Sequence, residues 1–486
     1  MRGRARAVLA LLAVIGSGGA RAEGPRWLRR PAVSRSHVVF AYADDLWIVG
    51  RGGGEARRLT VEPGMETDPT FSPDGTRVAF TGQAGGNWDV FVIAAAGGEA
   101  KRITFNPAVD TAVGWSPDGA RVLFRSDRAS FADFGRLFTC PAEGGPAEEL
   151  PLPAAEQGAF SPDGRRLAYV PHRYHGSAPD SQAAWKRYRG GAASPIWLAD
   201  LADSRVEPIP RPPGGCNDSN PLWVGDRVYF LSDREGPARL FAWDVGAKRL
   251  SKVPTADGTD ILSAAAAPGV IAYERLGELH LLDLESGKDR RLEVTLGEEL
   301  GTARPRHVWL GDSVQMVVPA PNARRAVFEA RGEILTVPAS KGAIRNLTST
   351  PGVAERQPAW SADGKSIAYY SDESGEYALH VRSQDGLGPV RKFAIGDPPS
   401  YFFHLSWSPD GKRLGLLRQA ASPVGARPGD GPFDARGPRA VPVRPHDARP
   451  GLVARRPLAG VRQAAREPPA RGLRLRGPVR EGPPGH

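Results

Sequence analysis

Short runs of alternating apolar and polar residues, separated by turns rich in Pro, Asp and Gly, follow one another along most of the chain. Residues 70–80 read Thr-Phe-Ser-Pro-Asp-Gly-Thr-Arg-Val-Ala-Phe, which predicts a strand, a Pro-Asp-Gly turn and a second strand. Proline presets φ in such a turn and glycine accepts a positive φ, so the chain reverses at low cost. Close copies follow at Ser116, Ser161, Ser361 and Ser408, and neighbouring copies begin 44, 45 and 47 residues apart. This spacing predicts a repeated β unit.

Two further candidate strands follow each hairpin, as in residues 88–93 and, after Gly97 and Gly98, residues 100–104. Four strands make one antiparallel sheet. A single sheet would expose both faces, so the units are expected to stack around an axis as the blades of a β-propeller. The predicted fold class is therefore all-β. The 58 Gly and 46 Pro among 486 residues suit a chain with many tight turns.

The repeat predicts a six-bladed β-propeller over residues 36–300, followed by an incomplete second β-propeller over residues 314–414. The first series of strand pairs begins near Val38, Phe71, Trp115, Phe160, Trp223 and Ala266. The second begins near Val314 and contains the copies at Ser361 and Ser408, which gives only two to three blades. Tryptophans that recur at fixed blade positions are predicted to pack between sheets: Trp47, Trp115, Trp223, Trp360 and Trp407.

One blade of the first series carries a basic and aromatic insertion between the copy at Ser161 and the strand at Trp223. Loops that interrupt a regular scaffold often carry binding residues, so the insertion is a candidate substrate-binding loop. Its candidate residues are His172, Arg173, His175, Trp185, Lys186, Arg187, Tyr188 and Arg189. The alternative is a solvated excursion that carries a structural tryptophan.

Three features occur together: residues 44–47 (Asp-Asp-Leu-Trp), the Trp-Ser-Pro-Asp-Gly hairpins, and residues 185–191 (Trp-Lys-Arg-Tyr-Arg-Gly-Gly) ahead of Ile196 and Trp197. On these residues the chain resembles the N-terminal part of tricorn proteases, and in particular their bacterial homologues. The resemblance covers about residues 36–414. The hairpin repeat alone is less specific, because TolB-like propellers with PD40 or WD40-like repeats share it.

The resemblance implies a six-bladed propeller, a seven-bladed propeller, a PDZ-like module and a serine-peptidase core, in that order. It implies that the propellers gate or channel short peptides, and that the parent enzyme assembles from several copies. The paired arginines with which archaeal members hold a peptide's C-terminus have no counterpart that can be placed before Trp115. The alternative function is an autonomous periplasmic TolB-like interaction propeller.

Residues 1–22 are expected to be a signal peptide, which implies export to the periplasm. Arg2, Arg4 and Arg6 precede an apolar run, and Ala20-Arg21-Ala22 fits a cleavage site. The apolar run is shorter than the roughly 20 residues of a spanning helix, and no later stretch could span a bilayer.

Residues 415–486 change character and are expected to be a disordered Arg/Pro/Gly-rich tail. They contain fourteen arginines, no lysine and five acidic residues, and so carry nine of the ten net positive charges. Codons permitted for residues 449–461, read one base later, can spell a further copy of the hairpin. We therefore expect a change of reading frame near residue 415, with the peptidase core encoded beyond it.

The remaining sequence predicts no catalytic residue, metal site or cofactor. Residues 23–414 are about three units negative, so the basic pI of 9.8 does not indicate a nucleic-acid partner. The repeated Ser and Asp residues are expected to cap turns. His172 and His175 lack a third ligand nearby, and Cys140 and Cys216 lie in different repeats, which favours free thiols over a disulfide.

Overall fold

The computed structural model describes residues 27–130, 134–172, 188–190, 193–256, 258–297, 310, 313–350, 352–395, 401–418 and 439–442. Within these residues all regular structure is β-strand, and no α-helix is present. The predicted all-β class is confirmed. The predicted signal peptide and residues 443–486 lie outside the described residues.

Six sheets follow one another between Arg29 and Leu296, each formed by consecutive antiparallel strands. Sheet 1 has β1 (Arg29–Val33), β2 (His37–Tyr42), β3 (Asp45–Gly50) and β4 (Gly54–Arg58). Sheet 2 has β5 (Glu66–Phe71), β6 (Arg77–Ala84), β7 (Asn87–Ala94) and β8 (Lys101–Arg102). Sheet 3 has β9 (Asp110–Trp115), β10 (Arg121–Ser126), β11 (Arg136–Pro141) and β12 (Glu148–Glu149).

Sheets 4 to 6 repeat the plan. Sheet 4 has β13 (Gln157–Phe160), β14 (Arg166–Val170), β15 (Trp197–Asp200) and β16 (Val206–Pro208). Sheet 5 has β17 (Asp218–Val224), β18 (Arg227–Ser232), β19 (Arg239–Asp244) and β20 (Arg249–Lys252). Sheet 6 has β21 (Ser263–Ala267), β22 (Val270–Arg275), β23 (Glu278–Asp283) and β24 (Asp289–Arg291). The next strand, β25 (Val294–Leu296), returns to sheet 1 and pairs in parallel with β4.

In the described part of these six sheets the apolar core consists of six clusters, one between each pair of neighbouring sheets. The cluster around Trp47, Phe40 and Val270 joins sheet 6 to sheet 1, and the other five join the sheets in chain order. The first strands of neighbouring sheets also contact each other, including β1 with β21. The six sheets therefore form a closed ring, the first ring, with their first strands around the axis.

A second series of sheets begins at Val314. Sheet 7 has β26 (Val314–Pro319), β27 (Arg325–Ala330), β28 (Glu333–Pro338) and β29 (Arg345–Asn346). Sheet 8 has β30 (Glu355–Trp360), β31 (Ser366–Ser371), β32 (Ala378–Ser383) and β33 (Arg391–Ala394). Sheet 9 has β34 (Phe402–Trp407), β35 (Arg413–Arg418) and β36 (Arg439–Pro442). Apolar clusters join sheet 7 to sheet 8 and sheet 8 to sheet 9.

Two strands extend the regular structure beyond the predicted limits. β1 begins at Arg29, before the expected start at residue 36, because residues 29–33 pair with β2. β35 continues past Leu414 to Arg418 and pairs with β36, so residues 415–418 and 439–442 form strands where a disordered tail was expected. The alternation of apolar residues explains why β35 continues past Leu414, because Leu414 and Leu416 are both buried. The domain boundaries themselves stay predictions.

The Ser-Asp turns recur with the same geometry in five sheets. In the first copy the Ser72 hydroxyl donates to Asp74 at 2.5 Å and accepts from the backbone N–H of Arg77 at 3.0 Å, while Asp74 accepts from the N–H of Thr76 at 3.1 Å. The copies at Ser116, Ser161, Ser361 and Ser408 repeat this network. These residues are bound within the turns, as predicted.

Candidate functional site

Because the strands of each sheet run antiparallel in chain order, the ring has two different faces. The turns between first and second strands, which contain the Ser-Asp motifs, lie on one face. The connections between second and third strands and between successive sheets lie on the other. The insertion joins β14 to β15, so it rises from this second face, which we call the insertion face.

The axial strands carry backbone bulges close to the insertion face. Arg30 in β1, Asp68 in β5 and Asn220 in β17 adopt positive φ angles of 49°, 49° and 55°, and the strand pairing shifts register around each of them. A β-bulge leaves one residue of the strand unpaired and changes the direction in which its side chain points. Arg30 Nη1 lies 3.1 Å from Asp68 Oδ1, and the backbone N–H of Arg30 donates to the buried Glu274 at 3.0 Å. Arg30 thus links sheets 6, 1 and 2.

Asn220 makes the equivalent link on the other side of the ring without charge. Its backbone N–H donates to Gln157 Oε1 in sheet 4 at 2.8 Å. Its side-chain amide bonds both backbone groups of Ala264 in sheet 6, at 2.7 and 3.0 Å. Near the insertion face, the axial strands therefore carry an ion pair at Arg30 and an uncharged amide network at Asn220.

Several first strands begin with a buried acid, namely Glu66, Asp110, Asp218 and Glu355. Asp110 accepts from Arg128 Nη2 at 2.5 Å, and Asp218 accepts from Arg234 Nη2 at 3.1 Å. Each guanidinium also stacks on two phenylalanine rings, at 5.1 and 5.3 Å for Arg128 and at 5.2 and 5.0 Å for Arg234. Both acids are fully buried; Arg234 is also buried, at 6%, whereas Arg128 is 18% exposed, so only the Arg128 pair presents a cationic group to solvent.

These Asp-Arg pairs were not predicted from the sequence. The signal that could have revealed them is the repeated Ser-Asp-Arg tripeptide at 126–128 and 232–234, each preceded by an apolar strand with a phenylalanine. The serine of each tripeptide is the last residue of the second strand in its sheet, and the buried acid is the first residue of the neighbouring first strand. The register of each hairpin then places Ser126 opposite Asp110 and Ser232 opposite Asp218.

Of the predicted insertion residues, the structure describes His172, Tyr188 and Arg189. Arg173, His175, Trp185, Lys186 and Arg187 lie outside the described residues. His172 is partly buried. Burial is the main factor that lowers the pKa of His172, with a further lowering from Arg211 and an opposing effect from Glu156.

Arg189 attaches the end of the insertion to sheet 5. Its Nη1 lies 2.9 Å from Asp233 Oδ2, and its Nη2 donates to the Asp233 carbonyl at 2.9 Å. Asn217 donates to both the Tyr188 carbonyl at 2.9 Å and Asp233 Oδ2 at 2.8 Å. The Arg189 guanidinium is thus held in a local network, which favours an anchoring role for this residue. The binding role of the insertion as a whole stays a prediction.

Exposed large apolar side chains concentrate on the insertion face. In the described part of the first ring they are Val61, Met65, Phe105, Val109, Phe134, Leu262 and Leu276 on this face, and Val206 on the other. Phe105 is the most exposed of them, at 71%. Apolar groups gathered on one side of a soluble protein commonly mark a binding surface.

A cavity of about 270 Å³ lies beside Phe105, where the chain passes from sheet 2 to sheet 3. Its lining includes Thr104, Phe105, Asn106, Arg128 and Ala147. This volume is below the roughly 300 Å³ at which pockets for drug-sized ligands begin. The cavity is therefore large enough for one amino-acid side chain together with an adjacent polar group of the same peptide.

The described residues show no group of three or more His, Cys, Asp or Glu side chains that could hold a metal ion. Cys140 and Cys216 are buried free thiols, as predicted. Ser36 and His37 hydrogen-bond at 2.8 Å, but they are neighbours in an exposed turn. No helix among the described residues is long and apolar enough to cross a membrane.

The closed ring of four-stranded sheets defines a β-propeller protein. Residues 25–288 match the family model described as the Tricorn protease N-terminal beta propeller domain, and the chain belongs to this family. It is the propeller portion of a tricorn-like protease. The resemblance stated from the Trp-Ser-Pro-Asp-Gly hairpins and residues 185–191 is confirmed.

Named relatives agree with this assignment. The chain is 33% identical over 406 residues to Tricorn protease homolog 1 of Streptomyces coelicolor, an alignment that covers 81% of this chain and 37% of that protein. It is 24% identical over 390 residues to the Tricorn protease homolog of Saccharolobus solfataricus, covering 79% and 34%. The crystal structure of the tricorn protease has the same fold, with a TM-score of 0.52 at 20% identity over 81% of this chain and 37% of that one. The chain thus spans about a third of the length of these proteins.

Proposed function

We propose that the first ring receives short peptides and gates or channels them to a serine-peptidase domain, as the non-catalytic front part of a tricorn-like protease. The observation that carries the proposal is a closed ring of six sheets, with the first strands around its axis, in a chain of this family. The insertion and most of the exposed apolar side chains lie on one face of this ring. A peptide that reaches this face therefore meets apolar, cationic and amide groups together.

Binding of short peptides to the purified mature chain tests the proposal. Peptides of six to twelve residues, measured by fluorescence anisotropy, are expected to bind, whereas a folded protein of about 100 residues is expected not to compete. Mass spectrometry of the same mixtures should show intact peptides. Failure of every short peptide to bind would contradict the peptide-handling role, and serine-dependent cleavage would contradict the non-catalytic role.

We also propose that the chain is exported to the periplasm through residues 1–22. The support is the arginine-led apolar segment and the Ala20-Arg21-Ala22 site. Expression in a Gram-negative host, followed by fractionation and N-terminal sequencing, should give a periplasmic protein that starts at Glu23. A cytoplasmic product that retains Met1 would contradict the proposal.

The change of reading frame near residue 415 is a separate proposal. It is supported by the arginine-rich composition of residues 415–486 and by the hairpin encoded one base later. Resequencing the DNA around codon 415 tests it. An unchanged frame in independent reads would overturn it without affecting the assignment of the first ring.

A further inference from the structure

We propose that the cavity between sheets 2 and 3 binds a peptide segment in which a large apolar residue is adjacent to a carboxylate. This inference deepens the proposed peptide-handling function and rests on it. The lining of the cavity includes Phe105, Asn106 and Arg128. Apolar and hydrogen-bonding groups thus converge on one small space.

The apolar half of the site is the Phe105 ring. It is 71% exposed, and the Arg102 guanidinium lies 4.8 Å from its centroid. This stacking holds one face of the ring near a cation. An apolar side chain that entered the cavity would cover exposed carbon surface that water now contacts, which favours binding.

The polar half is cationic because the acids of two ion pairs are fully buried. Arg102 Nη2 lies 2.7 Å from Asp89 Oδ2, and the exposed fractions of the two side chains are 31% and 0%. For Arg128 and Asp110 they are 18% and 0%. In both pairs the guanidinium faces outward and the carboxylate faces inward. The surface beside Phe105 therefore complements an anionic group.

Arg128 is the cationic donor that the proposal assigns to such a group. Its Nη2 binds Asp110 and its Nε binds Ser126 Oγ at 3.0 Å, while its Nη1 has no partner among the residues that the structure describes. Asn106 uses its carbonyl and its Oδ1 as acceptors for Asn87 and Ala108, which leaves its side-chain amide N–H groups as donors. A carboxylate that accepts from Arg128 and Asn106 would sit beside the apolar side chain.

The probe is a fluorescein-labelled, amidated peptide Gly-Glu-Leu-Glu-Gly, with variants that carry Gln for Glu or Ala for Leu. An unamidated peptide, Gly-Gln-Ala-Gln-Leu, distinguishes a C-terminal carboxylate from an acidic side chain. The Glu-Leu-Glu peptide is expected to bind the full chain, and either replacement is expected to weaken binding about tenfold, which corresponds to the loss of one good contact. Raising the salt concentration should also weaken it, because the contact is ionic.

The protein variant is Phe105→Ala, with Val206→Ala as the matched control. Val206 is also an exposed apolar residue, at 42%, but it lies on the opposite face of the ring. Phe105→Ala should lower the affinity about tenfold and Val206→Ala should leave it unchanged. Peptides that bind equally well to Phe105→Ala, or equally well with Gln for Glu, would overturn this site alone. If no short peptide binds at all, the proposed function fails together with it.

Discussion

The Trp115 indole donates a hydrogen bond from Nε1 to the backbone carbonyl of Thr70 at 3.0 Å, across the boundary between sheets 3 and 2. Arg77 stacks on the same indole at 5.0 Å. The second series repeats the link, because Trp360 donates to Val318 and Trp407 donates to Ala359, at 3.0 and 3.1 Å. Each tryptophan thus joins its own sheet to the preceding one near the axis.

Trp115→Phe is expected to destabilise the first ring. The substitution keeps an aromatic ring but leaves the Thr70 carbonyl without this donor, which should cost about 1 kcal/mol of the free energy of unfolding. Trp223→Phe is the matched control, because Trp223 donates only to Gly225 in its own hairpin. Urea unfolding of both variants provides the measurement. An equal loss in the two variants would show that the link between sheets contributes nothing specific.

Asp218→Ala is expected to be far more damaging than the loss of a surface ion pair. Arg234 would keep its place against Phe230 and Phe241, with its charge buried and unpaired, at a cost of roughly 3–5 kcal/mol. Asp203→Ala, which breaks the exposed pair with Arg205, should change the free energy of unfolding far less, because solvent screens that pair.

The double variant Asp218→Leu with Arg234→Met separates the buried charge from the buried volume. It should recover much of the stability, because it removes both ionic groups and restores apolar contacts. Chemical denaturation of the single and double variants measures the difference. A double variant no more stable than Asp218→Ala would show that packing, not the unpaired charge, dominates.

Glu66 should make the stability of the ring depend on pH. Burial is the largest of the causes that raise its pKa from 4.5 to about 7, although Thr60 donates a hydrogen bond to it at 3.1 Å. Between these two pH values the folded chain binds more protons than the unfolded chain, so the free energy of unfolding falls as pH rises from about 4.5 to 7.

Glu66→Gln should remove the contribution of Glu66 to this pH dependence of the free energy of unfolding, because the amide stays neutral. Compared with the natural chain, the variant should gain stability progressively across that pH range. Urea unfolding at pH 4.5, 5.5, 6.5 and 7.5 measures the difference. A constant difference at all four pH values would contradict a raised pKa at Glu66.

The Ser-Asp turns should resist acid. The Ser72 hydroxyl is the largest factor that lowers the pKa of Asp74, from 3.8 to about 2. The stabilisation that ionised Asp74 gives to the turn is therefore complete above pH 3.8 and disappears as the pH falls through about 2. In Ser72→Ala the Asp74 pKa should rise towards 3.8, as followed by NMR titration of the carboxyl carbon. The Asp163 pKa, which its own turn serine lowers, should stay unchanged in that variant and serves as the internal control.

The repeated hairpins and the fold class could be predicted because their causes are local. Proline and glycine fix the turn at residues 73–75, and alternation of apolar residues fixes the second strand that follows it. The free thiols of Cys140 and Cys216 were also predicted correctly, since their positions in different repeats kept them apart.

The Asp-Arg pairs and the axial bulges could not be predicted in the same way. Arg128 meets Asp110 only because a hairpin register brings residues 18 apart into contact, and the Arg30 backbone N–H reaches Glu274 only after the ring closes. Positive φ at Arg30 contradicts the ordinary backbone preference of arginine, so the sequence gives no local signal for this bulge. Contacts that form only when the ring closes cannot be predicted from the pattern of residues that are neighbours in the sequence.

The parallel pairing of β25 with β4 has a consequence for synthesis on the ribosome. The outer edge of sheet 1 stays uncovered until Val294, Thr295 and Leu296 have emerged and returned to Gly54, Glu55 and Ala56. Contacts between such distant parts of a chain form slowly, and unpaired strand edges invite association with other chains. A nascent polypeptide that stalls before residue 296 would therefore be a natural client for chaperones that recognise open sheet edges.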